Sequence, residues 1–289
     1  MQAISIPQPG IGRIRRYSFE AGAHIHRLDK EPLIGTTTAL GIIDKAGLTW
    51  WASGMACAEF GWVNPKKHTP EEVVLAAKVG LDRILTKYAD MLQNDYKSWI
   101  KYLDKAYRAH HTEKGRTAEL GTNLHFGVEQ FIKSRMTDGK IHLTSEQLKI
   151  LMPFIEWSEK NVKKWVFSEM HCYSERLWCG GIVDLAYIDM QDRFILGDVK
   201  SAKDIFFSNV CQLGGYTIQL EENGGYTADG DRVFKLERPI EGHAIFHFGG
   251  GFKEPAISYR VERNKRAFES ALSLYKEKMD FDGEFAKAA

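Results

Sequence analysis

The sequence predicts an α/β fold, with a mixed central β-sheet flanked by helices and a mainly helical N-terminal region. Two nearly continuous apolar runs, at residues 182–188 and 194–196, are typical of strands buried in a sheet. Apolar residues at helical spacing dominate residues 69–107, which predicts a long helical region there. A further helical pattern at 207–222 follows the two apolar runs, so strands and helices share the second half of the chain.

Length and composition limit the classes of protein to consider. A chain of 289 residues with 44% hydrophobic residues can bury one large core or two modest ones. The net charge of +1 gives no overall field for nucleic acid, so any such binding needs a local patch. No apolar run approaches the length of a membrane span, and the N-terminus lacks the apolar core of a signal peptide. We therefore expect a cytoplasmic protein without a membrane partner.

The four cysteines are Cys57, Cys172, Cys179 and Cys211. They are scattered and form no CxxC pair, which disfavours both a zinc ribbon and a disulfide scaffold. We expect reduced thiols that fill space in the core.

The N-terminal part reads as a hairpin followed by helices. Residues 13–34 alternate around a turn near Gly22, and they form either an edge of the sheet or an arm. Helix starts follow within 36–60, and Thr69 opens the long helical region as an N-cap, with Glu72 placed for a capping box. We expect this region to continue, with a kink, to about residue 107.

In the second half, helices and strands are predicted in a defined order. A loop from Gly115 precedes a helix with His125, and Gly249–Gly251 forms a hairpin turn rather than a phosphate loop, because no GK[ST] follows it. The other predicted elements are a helix at 145–164, a strand leading to Trp178, strands at 182–188 and 194–200, a helix at 207–222, strands at 233–236, 243–248 and 257–261, and a helix at 263–279.

Two acids interrupt the apolar strands. Asp184 lies inside the first run, and Asp198 ends the second run two positions before Lys200, so Asp198 and Lys200 project from one face of a strand. Charges on a buried sheet are costly unless they are paired or bind a metal. A short linker at 190–193 allows a hairpin that brings Asp184 beside Asp198. Two converging carboxylates make an oxygen-rich site suited to Mg²⁺ or Mn²⁺.

A basic and aromatic stretch at residues 96–116 admits two readings. Its tyrosines and tryptophan are interleaved with lysines and arginines, a mixture that stacks on bases and holds phosphates. The same pattern also fits an amphipathic helix with an aromatic core and a solvated basic face. Both interpretations stay open.

The helix at 207–222 carries Gln212 and Tyr216 four positions apart, hence on one face that overlooks the ends of the strands. Gly214 and Gly215 between them weaken the helix by about 1 kcal/mol each, unless a close backbone approach needs them. His125 alone is an ordinary packing residue, since a single histidine on a helix is a weak signal.

The order of these residues resembles the PD-(D/E)xK nuclease superfamily, in particular its RecB-like exonuclease branch. The pattern G-x-V-D ends at Asp184, D-V-K begins fourteen positions later, and Q-x-x-x-Y begins twelve positions after the lysine. The resemblance covers roughly residues 115–222. Five elements agree in type and order, and they carry His125, Glu169, Asp184, Asp198-x-Lys200 and Gln212-x-x-x-Tyr216.

The resemblance implies a restriction-endonuclease-like core and assigns roles at its metal site. Asp184 and Asp198 would be the central Mg²⁺ ligands, with the Val199 carbonyl as a further ligand. Lys200 would position or activate the attacking water and stabilise charge on the phosphate. His125 would contribute to the metal site, and Glu169 would be a strand acid near it.

The resemblance also implies a DNA-binding surface. Gln212 and Tyr216 would contact the DNA backbone or orient the active-site lysine, although a helix face packed on the sheet explains them equally simply. Lys203 would line a DNA groove together with Lys200 and the basic residues of 97–116.

The expected activity is Mg²⁺-dependent DNA exonuclease action on single- or double-stranded ends, with Mn²⁺ able to substitute, in recombination, repair or replication. The compact chain resembles viral and phage recombination exonucleases or small genome-maintenance exonucleases, which implies a bacterial or phage-infected host cell. A single-strand-annealing or recombination protein is the partner to consider. A structure-specific or restriction-type endonuclease, and a non-catalytic DNA-binding module, stay open as alternatives.

The sequence also departs from parts of this family. No cysteine lies beyond Cys211, so we expect no iron–sulfur cluster. The motif GxxxxGK[ST] is absent, so we expect neither a helicase motor nor a nucleotide cofactor. We expect residues 1–114 to shape the DNA channel and residues 115–289 to form the nuclease core, unless the chain is one compact domain.

Overall fold

The structure is a computed structural model of an α/β protein, in which helices flank a mixed β-sheet. It describes residues 15–43, 48–137, 139–140, 143–202 and 204–285. Packing divides the chain into two compact units, one within residues 1–44 and 121–289 and the other within 45–120. None of the helices among the described residues has both the length and the apolar character needed to cross a membrane.

The strands are short at the N-terminus and longest in the middle of the chain. They are β1 (Tyr17–Glu20), β2 (Ile25–Leu28), β3 (Glu31–Pro32), β4 (Ile34–Gly35), β5 (Val162–Ser174), β6 (Cys179–Asp189), β7 (Phe194–Lys200), β8 (Gly225–Tyr226), β9 (Arg232–Phe234), β10 (Gly242–His247) and β11 (Ala256–Ser258). The helices are α1 (Thr36–Ala39), α2 (Leu48–Ala58), α3 (Pro70–Arg83), α4 (Ala89–Asn94), α5 (Tyr96–Tyr107), α6 (Ala109–Thr137), α7 (Ser145–Asn161), α8 (Phe207–Asn223) and α9 (Val261–Phe285).

The grouping of the N-terminal strands differs from the sequence-based division at residue 114. Strand β4 pairs in parallel with β6 at Cys179 and Gly180, so the described residues before 44 pack with the sheet. Only the helical stretch within 45–120 groups separately. The predicted hairpin is present as β1 and β2, which form a separate three-stranded sheet with β3.

The main sheet has the order β11-β10-β7-β6-β5-β8-β9. Strands β5, β6 and β7 are antiparallel neighbours, whereas β7 and β10 run parallel, with α8 in the connection between them. The predicted hairpin of β6 and β7 is confirmed, with Leu185 opposite Gly197 and a turn at 190–193. The turn at Gly249–Gly251 is confirmed as well, because β10 and β11 pair antiparallel around it.

Helices cover both faces of this sheet. Helices α6 and α7 bury Phe131 and Phe154 against Tyr187 and Phe246 on one face. Helix α8 buries its apolar side on the other face, and α9 packs on α8 through a further apolar cluster. Burial of apolar area at about 25 cal/mol per Å² makes these layers the main source of stability.

The two glycines of α8 let α9 approach closely. A Cβ atom at Gly214 would lie 2.2 Å from the Asn264 carbonyl oxygen, and one at Gly215 would lie 2.8 Å from the Phe268 ring. Any larger residue would push the helices apart. The close approach of α9 therefore explains why two glycines lie in the middle of α8.

Several helix boundaries follow the predicted signals, and two differ. The Thr69 capping box is formed, and a π-helical turn at Ile84–Tyr88 interrupts the α-helical geometry of the long helical region. The predicted loop at Gly115 is wrong, because α6 is already helical there; good helix formers between the glycines offset their cost. The end of the predicted helix 145–164 is also wrong, since Val162–Lys164 already belong to β5.

The cysteine prediction holds for three of the four residues. Cys172, Cys179 and Cys211 are free and buried, whereas Cys57 is exposed on α2. Cys57 therefore fills no core space.

Candidate metal centre

The candidate site lies where β6 and β7 diverge. Strand β6 pairs with β4 at Cys179 and Gly180, and with β7 from Leu185 onward, so no strand among the described residues pairs with this edge at 181–184. Asp184 is the last residue of this gap. Its Oδ2 accepts a hydrogen bond of 2.6 Å from the Val199 amide across the gap. The Asp184 carboxylate thus accepts a hydrogen bond that a main-chain carbonyl of β6 would accept in a regular strand pair.

Three side chains from three elements converge here. His125 of α6 lies with its Nδ1 3.6 Å from Asp184 Oδ2 and 3.8 Å from Glu169 Oε1 of β5. One potential ligand atom from each of the three residues lies within 4.8 Å of the other two. The predicted proximity of His125, Glu169 and Asp184 is therefore present in the structure.

Glu169 has an unusual backbone conformation. The pairs Ser168 with Leu185 and Met170 with Val183 place Glu169 opposite Asp184, yet its φ is +53° in the left-handed region. This conformation is uncommon for a residue that is not glycine, and such strain concentrates at functional sites. In this conformation the Glu169 carboxylate lies 3.8 Å from His125 Nδ1.

Asp198 and Lys200 form the second part of the site. Lys200 Nζ donates a 2.7 Å hydrogen bond to Asp198 Oδ1, as their positions on one face of β7 allow. Asp198 is fully buried, and its Oδ2 has no hydrogen-bond partner among the described residues. A buried carboxylate oxygen without a partner is costly, so it is a natural position for a ligand to a cation.

Burial dominates the acid–base properties of the two aspartates. Desolvation raises the pKa of Asp198 to about 6, with a further contribution from Asp184, although Lys200 opposes it. Desolvation also raises the pKa of Asp184, against the favourable charges of His125 and Lys200. Both buried carboxylates therefore lose their protons less readily than an exposed aspartate does.

The two basic groups respond to these acids. Burial disfavours the charged form of His125, but Asp184 and Glu169 outweigh it and raise its pKa to about 9. Burial likewise disfavours charge on Lys200, but Asp198 and Asp184 outweigh it and raise its pKa. The centre favours positive charge at both positions.

The donor set fits a hard divalent cation. His125, Glu169 and Asp184 supply one imidazole nitrogen and carboxylate oxygens within 4.8 Å of one another, whereas Asp198, with its unpartnered Oδ2, is not a member of this group. The Lys200 carbonyl accepts a hydrogen bond from the Phe248 amide on the β10 side. Because backbone groups of successive strand residues alternate in direction, the Val199 carbonyl faces the β6 side, as the Val199 amide does. The carboxylate and carbonyl oxygens of this set suit Mg²⁺ and Mn²⁺.

Gln212 and Tyr216 lie behind this centre. Gln212 Nε2 donates a 2.8 Å hydrogen bond to the Tyr216 hydroxyl, and both side chains are buried. Burial raises the pKa of Tyr216, and Asp184 and Asp198 raise it further. A Cβ atom at Gly181 would lie 2.4 Å from the Tyr216 ring, so this glycine admits the tyrosine to the sheet. Both side chains are buried and point into the packed interior, where they bond to each other.

The predicted DNA-binding residues are described only in part. Lys203 lies outside the described residues. On α5, Tyr102 is buried and Trp99 is half-buried, whereas Lys97, Lys101 and Lys105 are exposed. This arrangement matches the amphipathic reading of the basic stretch and leaves its lysines accessible.

Sequence reasoning missed one neighbour of Lys200. His247 lies opposite Lys200 in the parallel register of β7 and β10, and its Nδ1 is buried without a hydrogen-bond partner among the described residues. Its only sequence signal is its place at the end of a predicted strand, which does not reveal which strand lies alongside.

Comparison with models of known protein families finds no match, and no curated protein sequence matches significantly. The geometry of the centre is therefore the basis for any assignment of function.

Proposed function

We propose that this protein is a metal-dependent DNA exonuclease that hydrolyses phosphodiester bonds from DNA ends, in recombination, repair or replication. The observation that carries the proposal is the arrangement of Asp184 and Asp198 on neighbouring strands, with Lys200 bound to Asp198. Buried acids and a lysine at one end of a strand pair are the groups that metal-assisted phosphodiester hydrolysis requires.

The surrounding topology supports the restriction-endonuclease-like core that we assign to this sheet. The antiparallel run of β5, β6 and β7 continues into a parallel β10, with helices on both faces. The acids and the lysine lie at the divergence of the central strands, where the side chains of His125, Glu169 and Lys200 are partly exposed and Asp198 is fully buried.

Each residue of the centre has a distinct proposed role. His125, Glu169, Asp184 and Asp198 would hold Mg²⁺ or Mn²⁺, with the Val199 carbonyl as a further ligand. The bound cation would lower the pKa of water and offset charge on the scissile phosphate. Lys200 keeps its proton because the neighbouring acids raise its pKa, so it provides fixed positive charge beside the phosphate rather than acting as a base.

DNA is the proposed substrate, and the exposed lysines of α5 are proposed contacts to its phosphates. Lys101 and Lys105 are suitable for charge reversal, because both are exposed. We expect the double reversal to weaken DNA binding and to flatten its dependence on salt. Unchanged affinity and salt dependence would remove α5 from the DNA-binding surface.

The decisive experiment is digestion of end-labelled linear DNA, single- and double-stranded, in Mg²⁺ and then in Mn²⁺. Versions with a blocked 5′ or 3′ end and a covalently closed circle complete the set. We expect stepwise shortening from an unblocked end and an intact circle. Cutting of the circle would favour the endonuclease alternative, and no degradation with either metal would favour a non-catalytic DNA-binding module.

Variants test whether any nuclease activity depends on the candidate metal centre. Asp198→Ala and Lys200→Ala are expected to abolish most activity, whereas Asp192→Asn is the matched control, because Asp192 is exposed on the turn between the same two strands. Full activity in either alanine variant would contradict the proposed mechanism.

A further inference from the structure

The outer edge of β5 is open along its first half. One edge of β5 pairs with β6 along nearly its whole length, while the other pairs with β8 only at His171. Among the described residues, no strand covers residues 162–168 on that outer edge. Seven strand residues span roughly 20 Å, which is the length of an ordinary added strand.

A groove of about 590 Å³ follows this open edge. Its walls are the ends of α6 and α7 together with the start of β5, and its lining consists of Arg135, Met136, Ser158, Glu159 and residues 162–166. Met136 is exposed and Val166 is half-buried, so the groove offers apolar contacts beside the strand edge. We call this feature the β5 groove.

The β5 groove carries an excess of positive charge. Arg135 and Lys163 pair with Glu159 and Asp192 at 2.8 Å and 2.9 Å, but all four side chains are about half exposed. Exposed pairs of this kind contribute little stability, so these cations can exchange partners readily. Lys164 is exposed and has no ion pair within the described part of the chain.

This charge determines which strand the edge can accept. Two copies of the same edge would bring lysines together, and like charges opposite each other oppose pairing. A strand that carries acidic side chains meets no such penalty. Nucleic acid is a poorer fit, because Trp165, the aromatic residue of the lining, is buried and presents no face for a base to stack on.

We propose that the β5 groove binds an extended acidic segment of a partner protein, which adds a strand to the open edge of β5. Main-chain hydrogen bonds to residues 162–168 supply affinity, and Arg135, Lys163 and Lys164 select acidic side chains. The groove shares no residue with the metal centre. The proposal therefore stands or falls independently of the nuclease activity.

The test uses the full chain and a fluorescent seven-residue peptide that alternates glutamate with valine. We expect saturable binding by fluorescence anisotropy and slower amide hydrogen exchange at residues 162–168. Lys164→Glu should weaken binding at least about tenfold, because the reversal places like charges together. Lys149→Glu, at an exposed lysine of α7 outside the groove, should bind as the unaltered protein does.

Two altered peptides separate the sources of affinity. Replacing glutamate by lysine should abolish binding, and N-methylation of alternate amides should also abolish it by removing main-chain donors. Hydrogen exchange across the rest of the chain confirms that each protein variant is folded.

Several outcomes would overturn the proposal: no binding, no exchange protection at 162–168, or equal binding of the lysine peptide. Protection by a single-stranded oligonucleotide in place of the peptide would assign the groove to nucleic acid. Protection that rises with protein concentration alone would assign it to a second copy of the chain.

Discussion

Two buried polar clusters involve adjacent residues of α8, and they differ in how well their groups are satisfied. In the first, Thr217 Oγ1 donates to the Leu213 carbonyl at 2.9 Å, so His243 Nε2 donates to Thr217 at 2.8 Å. Asn264 Nδ2 then donates to His243 Nδ1 at 2.9 Å. In the second cluster, which Tyr216 faces, buried carboxylates adjoin one another and an oxygen of Asp198 has no partner among the described residues.

The comparison distinguishes buried polar groups that stabilise the fold from buried polar groups that are retained for a ligand or a reaction. A neutral network with every ring nitrogen bonded costs little to bury and fixes how α8, α9 and β10 pack. A cluster of buried acids with an unpartnered oxygen lowers stability, and proteins retain such groups where a ligand or a reaction needs them. The His243 cluster is thus a reference against which the metal centre can be measured.

The largest expected effect concerns the centre itself. Asp198→Asn should lower nuclease activity roughly 10²–10³-fold, because it removes a charge aimed at the cation. The same change should raise stability in metal-free buffer at pH 7 by on the order of 1–3 kcal/mol, because Asp198, with its pKa raised to about 6, is buried in charged form there. Activity assays and urea unfolding measure the two effects. A variant that is both inactive and less stable would contradict a functional cluster held at the expense of stability.

The reference cluster should behave in the opposite way. His243→Ala leaves Thr217 and Asn264 with lost partners in a buried site, so we expect a loss of about 2–4 kcal/mol in the free energy of unfolding. Nuclease activity, measured well below the melting temperature, should stay within about twofold of the unaltered protein, since no member contacts the proposed reacting atoms. A large loss of activity with unchanged stability would move His243 into the functional class.

The two clusters should change the free energy of unfolding in opposite directions as pH rises. Burial lowers the pKa of His243 from 6.5 to about 4, so its stabilisation is present above pH 6.5 and is lost as pH falls toward 4. Burial raises the pKa of Asp198 from 3.8 to about 6, so its contribution is present below pH 3.8 and is lost as pH rises through 6. Each group changes the free energy of unfolding by at most about 1.4 kcal/mol per pH unit.

Urea unfolding with a chelator, from pH 4 to 7, measures these slopes. The stability advantage of Asp198→Asn should grow as pH rises, and the deficit of His243→Ala should shrink as pH falls. Curves that run parallel to that of the unaltered protein would show that neither group titrates on unfolding in this range.

The smallest effect concerns the strained backbone at Glu169. Glu169→Gly should be about 1 kcal/mol more stable than Glu169→Gln, because glycine adopts φ of +53° without a Cβ penalty. We expect Mn²⁺ to raise the melting temperature of the unaltered protein, and both variants should lose part of this rise because both lack the carboxylate. Equal stability of the two variants would show that the left-handed conformation stores no strain.

Much of the fold could be predicted because its signals are local. Apolar runs and a short polar linker predicted the β6–β7 hairpin, and Thr69 and Glu72 predicted a capping box that is formed. The beginning of α6 could not be predicted in the same way, because Gly115 and Gly121 suggest a loop when only neighbouring residues are considered. The helix formers between the two glycines outweighed that local preference.

The site divides along the same line. The sequence by itself determined which side chains are present on successive elements, since the positions of Asp184, Asp198 and Lys200 within strands follow from the period of two along each strand. Only the tertiary structure decided that, within the described part of the chain, one edge of β6 lacks a partner strand at 181–184, that Glu169 lies near His125, and that no strand covers the outer edge of β5 at 162–168. Pairing register and strand edges arise from contacts between residues far apart in the chain, and local patterns carry no information about which distant strand fills a gap.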